Sequence, residues 1–199
     1  MNNKGTGHRT IRGRILPAIL RRLQKIGIEI VPFITVREGE AVINAPESRF
    51  RFDFIPNDEL DSLAQLDRTQ SPEKIQRWLD DGNRCFGAWD GPRLVAKMWC
   101  DFAEFNFPPN HRKLSGDEVY LFAAYSHPDY RGQGLAPNLR LHAYKALRDL
   151  GRTRFLSYTD YFNVPARRFK EKLKARNESI RVHVRLFGGW GKTYTLRDY

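Results

Sequence analysis

The sequence predicts a mixed α/β domain of the α+β kind, and three observations carry that reading. EVYLFAAY (118–125) is an almost continuous apolar run, as a strand buried on both faces requires. It leads through Ser126-His127-Pro128-Asp129 into RGQGLAPNLRLHAYKALRDLG, where Leu135, Leu139, Ala143, Ala146, Leu147 and Leu150 keep helical spacing up to Gly151. CFGAWD and RLVAKMWCDF flank Asp90-Gly91-Pro92 and read as a hairpin of two strands. Strands that alternate with helices in the middle of a chain build a mixed sheet.

The remaining elements follow in chain order. Residues 1–8 are polar and read as disordered. Between Arg9 and Lys25 lie six basic and no acidic residues, with Ile11, Ile15, Ile19, Leu23 and Ile26 three or four apart. Proline is tolerated in a helix's first turn, so the helix is expected from Pro17 to Ile26, stopped by Gly27. IEIVPFITV (28–36) is β-branched but interrupted by Pro32, which predicts an edge strand. After the turn-like INAPES (43–48), RFRFDFI (49–55) alternates strictly and predicts a strand with Phe50, Phe52 and Phe54 on one face. Two short helices are expected at about 57–68 and 72–81, the second opened by Ser71-Pro72 with Glu73 in its first turn. Beyond the long helix come a strand at 154–160, a basic helix from Asn163 to Arg176, and strands at 180–187 and 192–199 joined by Gly188-Gly189-Trp190-Gly191.

Composition bounds the function classes. With 199 residues, 41% of them apolar, the chain builds one ordinary core, with a basic N-terminal extension (1–45) ahead of the main domain (46–199). No run of about 18 apolar residues is present and the N-terminal stretch has no signal-peptide pattern, so a cytoplasmic protein is expected. Cys85 and Cys100 form neither a disulfide framework nor a zinc motif, and the five histidines have no ligand spacing, so no metal site is expected. The formal charge of +11 divides into +5 for residues 1–56, −5 for 57–130 and +11 for 131–199. Such a division suggests a compact anion held by one part of the fold. The basic helix within 9–26 has two readings, a helix packed on the main domain or a peripheral contact with an anionic membrane at its inner face. Gly191-Lys192-Thr193 imitates the end of a P-loop, but Leu186 stands where the first glycine is needed and no helix follows.

The segment with the clearest chemistry is Arg131-Gly132-Gln133-Gly134-Leu135-Ala136, set between the buried strand and the long helix. Its glycines permit a tight turn, and the helix start adds unpaired amides and the positive dipole end, which together make a diphosphate cradle. A dinucleotide-binding GxGxxG is not completed, since Pro137 takes the last position.

At these residues the chain resembles the GNAT superfamily of acyl-CoA-dependent N-acetyltransferases, whose signature is Arg or Gln, two residues, Gly, one residue, then Gly or Ala. Arg131, Gly134 and Ala136 match it, and the element order matches from about Phe50 to Leu196. The resemblance implies a mostly antiparallel central sheet flanked by helices, with acetyl-CoA as acyl donor and an amine as acceptor. It implies that Arg131, Gly132, Gln133, Gly134, Leu135 and Ala136 bind the pyrophosphate and that Ala124 to Ser126 hold the pantetheine arm. Asn163, opening the next helix, matches a coenzyme-contacting Asn, and a backbone N–H near Tyr125 would hold the oxyanion.

An acceptor ammonium with pKa ~10.4 is almost wholly protonated at neutral pH, so a base or water relay is needed. Glu118 resembles the general-base glutamate of histone acetyltransferases in its place on the strand; its other reading is a solvated strand-start residue. The family's acid tyrosine is replaced by Lys170 beside Phe169, with Tyr158 and Tyr161 as substitutes. A thiol with pKa ~8.5 leaves tolerably without a strong proton donor, so that departure does not exclude activity. Trp190 and Tyr158 are the expected acceptor contacts. The rival reading is a non-catalytic basic module that binds an anionic membrane or nucleic acid through the N-terminal helix and the 167–176 cluster, nucleic acid being the weaker partner because charge alone suggests it.

Overall fold

The computed structural model describes residues 7–40, 45–107 and 110–199. The expectation for 1–6 and part of that for 43–48 therefore lie outside the described residues. The elements are α1 (Gly7–Lys25), β1 (Ile28–Glu38), β2 (Arg51–Phe54), α2 (Leu60–Leu66), α3 (Pro72–Asp80), β3 (Arg84–Asp90), β4 (Arg93–Asp101), β5 (Glu104–Phe107), β6 (Asn110–Lys113), β7 (Glu118–Ser126), α4 (Leu135–Asp149), β8 (Arg154–Asp160), α5 (Val164–Lys172), β9 (Arg176–Leu186) and β10 (Trp190–Asp198). Eight strands form one sheet in the order β10-β9-β1-β8-β7-β4-β3-β2, and β5-β6 is a separate hairpin. Every pairing is antiparallel except β7 with β8.

β4 shows how the layers are arranged. Successive side chains of a strand face opposite ways, and Met98 joins the cluster containing Leu135, Leu139, Ala143 and Leu147 of α4 while Trp99 joins Leu63 of α2 and Ile75 of α3. Helix α4 thus covers one face of the sheet, and α2 and α3 cover the other. Fully burying a Leu such as Leu147 stabilises by about 1.5–3 kcal/mol, so the α4 stripe anchors its helix firmly. Ser71 caps α3 as expected, its side chain accepting from the Lys74 amide, with Pro72 in the first turn.

Four expectations are corrected. Helix α1 begins at Gly7 and contains Pro17, because the apolar spacing continues N-terminal to the proline as Ile11 and Ile15. It lies beside β1, with Pro17, Leu20 and Arg21 across a small cavity from Ile30, Val31 and Pro32. The strand holding Pro32 is interior: β1 pairs with β8 on one side and β9 on the other, which places part of the 1–45 stretch within the main sheet. Pro32 is tolerated because its carbonyl, accepting from the Tyr161 amide, points past the last β1–β8 pair at Phe33 and Asp160, so the missing N–H falls beyond the end of β8. Helix α5 ends at Lys172, where Lys174 takes φ 54, and β9 begins at Arg176, four residues before the strand read at 180. The β5–β6 hairpin was not expected at all; it is held by Phe107, stacked on Tyr158 at 3.6 Å and edge-on to Phe33 at 4.8 Å.

Candidate active site

The site begins where β7 and β8 part. Their parallel pairing runs only from Glu118–Arg154 to Tyr120–Leu156, after which no ladder joins them. On its other edge β7 carries a bulge: Trp99 pairs with Phe122 and Lys97 with Tyr125, so Met98 alone opposes Ala123 and Ala124. Ala123 sits at φ 44, a conformation L side chains rarely adopt. A bulge bends its strand and leaves a backbone group unpaired. Here it opens a wedge in the sheet whose β7 wall presents main-chain polar groups.

The loop after β7 makes a single 3₁₀ turn over Pro128–Tyr130 and then turns twice through left-handed backbone, Gly132 at φ 78 and Gly134 at φ 74. Gly134 is the N-cap of α4, and among the described residues the amides of Gly132, Gln133, Gly134, Leu135 and Ala136 donate to no backbone carbonyl outside the helix. Pro137, having no N–H, adds no orphan donor to the first turn. Arg131 Nε reaches the Ser126 carbonyl at 3.4 Å, and Gln133 Nε2 holds the Asp129 carbonyl at 2.9 Å, so side chains of the loop brace its backbone. Five adjacent amides at a helix N-terminus suit a polyanion.

Two cavities meet at the wedge. On the α4 side a cavity of about 450 Å³ is lined by Met98, Leu121 to Ser126, Ala136, Leu139, Arg140, Tyr158, Asn163, Phe169 and Lys170, among others. On the opposite face one of about 940 Å³ is lined by Lys74, Arg77 and Trp78 of α3, Asp101, Glu104 and Phe107, together with Tyr120, Phe122, Ala123 and Tyr158. Phe122, Ala123 and Tyr158 belong to both walls.

Behind the first cavity lies a buried polar cluster. Glu38, 1% exposed, accepts hydrogen bonds from the hydroxyls of Tyr144 and Ser157, with Arg140 Nε at 3.4 Å and Lys170 Nζ at 3.7 Å. Lys170 Nζ donates to Ser157 Oγ at 2.7 Å and to the Tyr158 carbonyl at 2.9 Å. Burial would raise the Glu38 carboxyl, but the Arg140 and Lys170 cations and the two hydroxyls outweigh it and hold it below the usual range. Burial pushes the Lys170 ammonium down to about 8, against the pull of Glu38. Among the described residues Arg140 Nη1 is buried without a partner.

A match to the Acetyltransferase (GNAT) family spans residues 50–174. The chain belongs to the GNAT acetyltransferase family. No curated protein matches it in sequence. Among solved structures, an acetyltransferase of the GNAT family from Novosphingobium aromaticivorans aligns with TM-score 0.58 and 17% identity, covering 80% of this chain and 66% of that one. The ribosomal-protein-S18-alanine N-acetyltransferase of Escherichia coli aligns with TM-score 0.51 and 17% identity over 62% of this chain and 76% of its own. AAC(6')-Iy, in complex with the bisubstrate analogue CoA-S-monomethyl-acetylneamine, gives TM-score 0.52 and 14% identity over 63% and 90%. At these identities the likeness shows a common fold, and the chain spans slightly under two thirds of the Novosphingobium structure.

Within this GNAT domain the residues singled out from sequence fall in four places. Ala124, Tyr125, Ser126, Ala136, Asn163 and Tyr158 line the smaller cavity, while Arg131, Gly132, Gln133, Gly134 and Leu135 form the loop at the start of α4. Asn163 caps α5 through Oδ1, which accepts from the Ala166 amide at 3.1 Å. Trp190 is elsewhere, 55% exposed at the tip of the β9–β10 hairpin, and lines neither cavity. Glu118 also lines neither: its oxygens accept from both Arg112 nitrogens at 2.7 and 2.9 Å and from the Ser115 amide, with Arg154 at 3.2 Å. The Arg112 bonds hold its carboxyl at about 2, which makes it a poor proton acceptor. What sequence reasoning missed was Glu38 and Arg140, whose meeting with Lys170 joins residues more than a hundred positions apart, and the acceptor-side wall from α3 and β5. The one available signal was Lys170 in the place of a tyrosine.

Proposed function

We propose that the chain is an acyl-CoA-dependent N-acetyltransferase that binds acetyl-CoA in the α4–α5 cavity and transfers the acetyl group directly to an amine entering from the α3–β5 side. The observation that carries this reading is the meeting of the two cavities across the sheet at Phe122, Ala123 and Tyr158. Two substrates bound from opposite faces would touch only there, which suits direct attack and gains the rate advantage of held, oriented reactants.

The residue roles follow from position. The amides of Gly132 to Ala136 hold the diphosphate, and the unpaired β7 edge at Ala124 to Ser126 bonds the pantetheine arm. Because Asn163 uses its carbonyl oxygen as a cap, its amide NH₂ is left to face the coenzyme. A main-chain N–H of the bulge near Tyr125 stabilises the oxyanion. Asp81, Asp101 and Glu104 are carboxylates on the acceptor side and, with Trp78 and Phe107, favour a cationic amine whose proton passes to one of them or to water. Glu118, locked to Arg112, does not take that part.

Isothermal titration with acetyl-CoA, followed by measurement of free thiol in the presence of varied amines, tests the proposal. Saturable binding and amine-dependent thiol release are expected. Absence of acetyl-CoA binding would remove it.

A further inference from the structure

The charges of the cluster behind the coenzyme cavity do not balance. Glu38 supplies one negative charge to Arg140 and Lys170, and all three side chains are at least nine-tenths buried. A buried uncompensated cation costs several kcal/mol, so its retention against a cavity wall asks for an anion that enters or forms there. Acyl transfer from a thioester forms one, the coenzyme thiolate.

We propose that Lys170 is the proton donor to the departing thiolate, held in place by Ser157 and the Tyr158 carbonyl. This rests on the reading of the cavity as the acetyl-CoA site. Two of the three ammonium N–H bonds are committed to Ser157 Oγ and the Tyr158 carbonyl, while Glu38 at 3.7 Å lies beyond hydrogen-bond reach, so among the described residues the third is free for sulfur. The position is also right. Ser157 and Tyr158 follow directly on Leu156, the last β8 residue paired to β7, so Nζ sits at the apex of the wedge next to the junction of the two cavities.

In the step, the amine lone pair forms the C–N bond, the C–S bond breaks with its electrons on sulfur, and the Lys170 ammonium gives its proton to sulfur to release the free thiol. Neutral Lys170 regains a proton from solvent, which has received the one lost by the amine. A donor at about 8 is well matched to a thiol at ~8.5, whereas Tyr158, which burial and Asp160 raise above the ordinary phenol value, is a weaker acid. The charged and titratable groups facing Lys170 are Glu38 from β1, Arg140 and Tyr144 from α4, Tyr158 and Asp160 from β8, and Arg167 and Glu171 on its own helix.

The test uses the full chain saturated with coenzyme A itself and follows thiolate formation by ultraviolet absorbance across pH, in wild type and Lys170→Met. In the wild type the bound thiol and the Lys170 ammonium are expected to titrate as one coupled pair, with part of the thiolate signal appearing below the free thiol's range, and in Lys170→Met the titration returns to a single step at the free value while coenzyme affinity holds. With an amine acceptor, the wild-type kcat is expected to decline above about pH 8, and in the variant kcat is expected to fall about 10²-fold and to lose that decline. Lys170→Gln, which keeps a hydrogen bond to Ser157 without the charge, should behave as Lys170→Met. Identical thiol titration in wild type and both variants overturns the proposal. If the wild type binds no coenzyme, the reading of the cavity fails first; if it binds coenzyme but acetylates no amine tried, the thiol titration still decides.

Discussion

Glu38 and Lys170 occupy the same buried cluster, yet their removal should have opposite consequences. Without Lys170, Glu38 and Arg140 remain as a one-to-one pair whose carboxylate still receives Tyr144 and Ser157. Without the charge of Glu38, two cations are left facing each other in a site with little water. Breaking a buried pair by removing one partner typically costs about 3–5 kcal/mol, while replacing an excess buried ion by an apolar side chain is often neutral or stabilising. Glu38→Gln is therefore expected to lose about 3–5 kcal/mol and Lys170→Met to stay within about 1 kcal/mol of wild type, both read by chemical denaturation at neutral pH. An equal loss in the two variants would mean that Lys170 is neutral in the folded protein.

The loop that joins β7 to α4 makes its demand on backbone shape rather than on side chains. A Cβ at Gly132 or Gly134 would meet nothing within 4 Å, so steric clash is not why glycine stands there. The reason is φ of 78 and 74, which costs an L-residue roughly 1–2 kcal/mol. Gly134→Ala should accordingly fold normally but hold its amides out of line, weakening acetyl-CoA by about 5- to 30-fold in calorimetry. Unchanged affinity would place the phosphates away from this turn. The loop was legible in sequence because glycine, a helix start and a preceding apolar strand are all local signals. The ion pair that holds Glu118 was not legible because its partner Arg112 comes from β6, a strand of four residues too short to announce itself. The strand at Pro32 was misread for a related reason: a proline signals a missing donor, but only the register shows that the donor would have faced past the end of β8. Lys170 was visible as a departure, but its meaning needed the carboxylate that β1 brings from the other end of the chain.

Across the whole molecule, ionisable groups with shifted proton affinities set how stability responds to pH, and the signs differ at the two ends of the scale. Glu118 at about 2, with Glu38 and Asp67 also held low, binds protons more weakly folded than unfolded. Its contribution is complete above the ordinary value of 4.5 and is lost as pH falls towards 2, amounting to at most about 3 kcal/mol at 1.36 kcal/mol per unit. Lys170 behaves oppositely on the alkaline side. With its folded value at about 8 and its unfolded value at 10.5, the unfolded chain binds the extra proton between them, so this group makes stability rise with pH across that window. Burial pushes Lys97 down as well and adds in the same direction. Melting temperature measured against pH should thus climb from acid to a neutral plateau and gain a further alkaline increment before other groups intervene. Lys170→Met should reduce the alkaline increment and also shrink the part of the acid limb that Glu38 supplies, since Lys170 is one of the cations that hold that carboxyl low. Glu118→Gln should act on the acid limb: a smaller difference between pH 2 and pH 5, a lower plateau, and turnover per folded molecule unchanged. An acid limb that survives Glu118→Gln in full would show that the Arg112–Glu118 pair contributes little to folding, and a loss of turnover in that variant would return Glu118 to the chemistry.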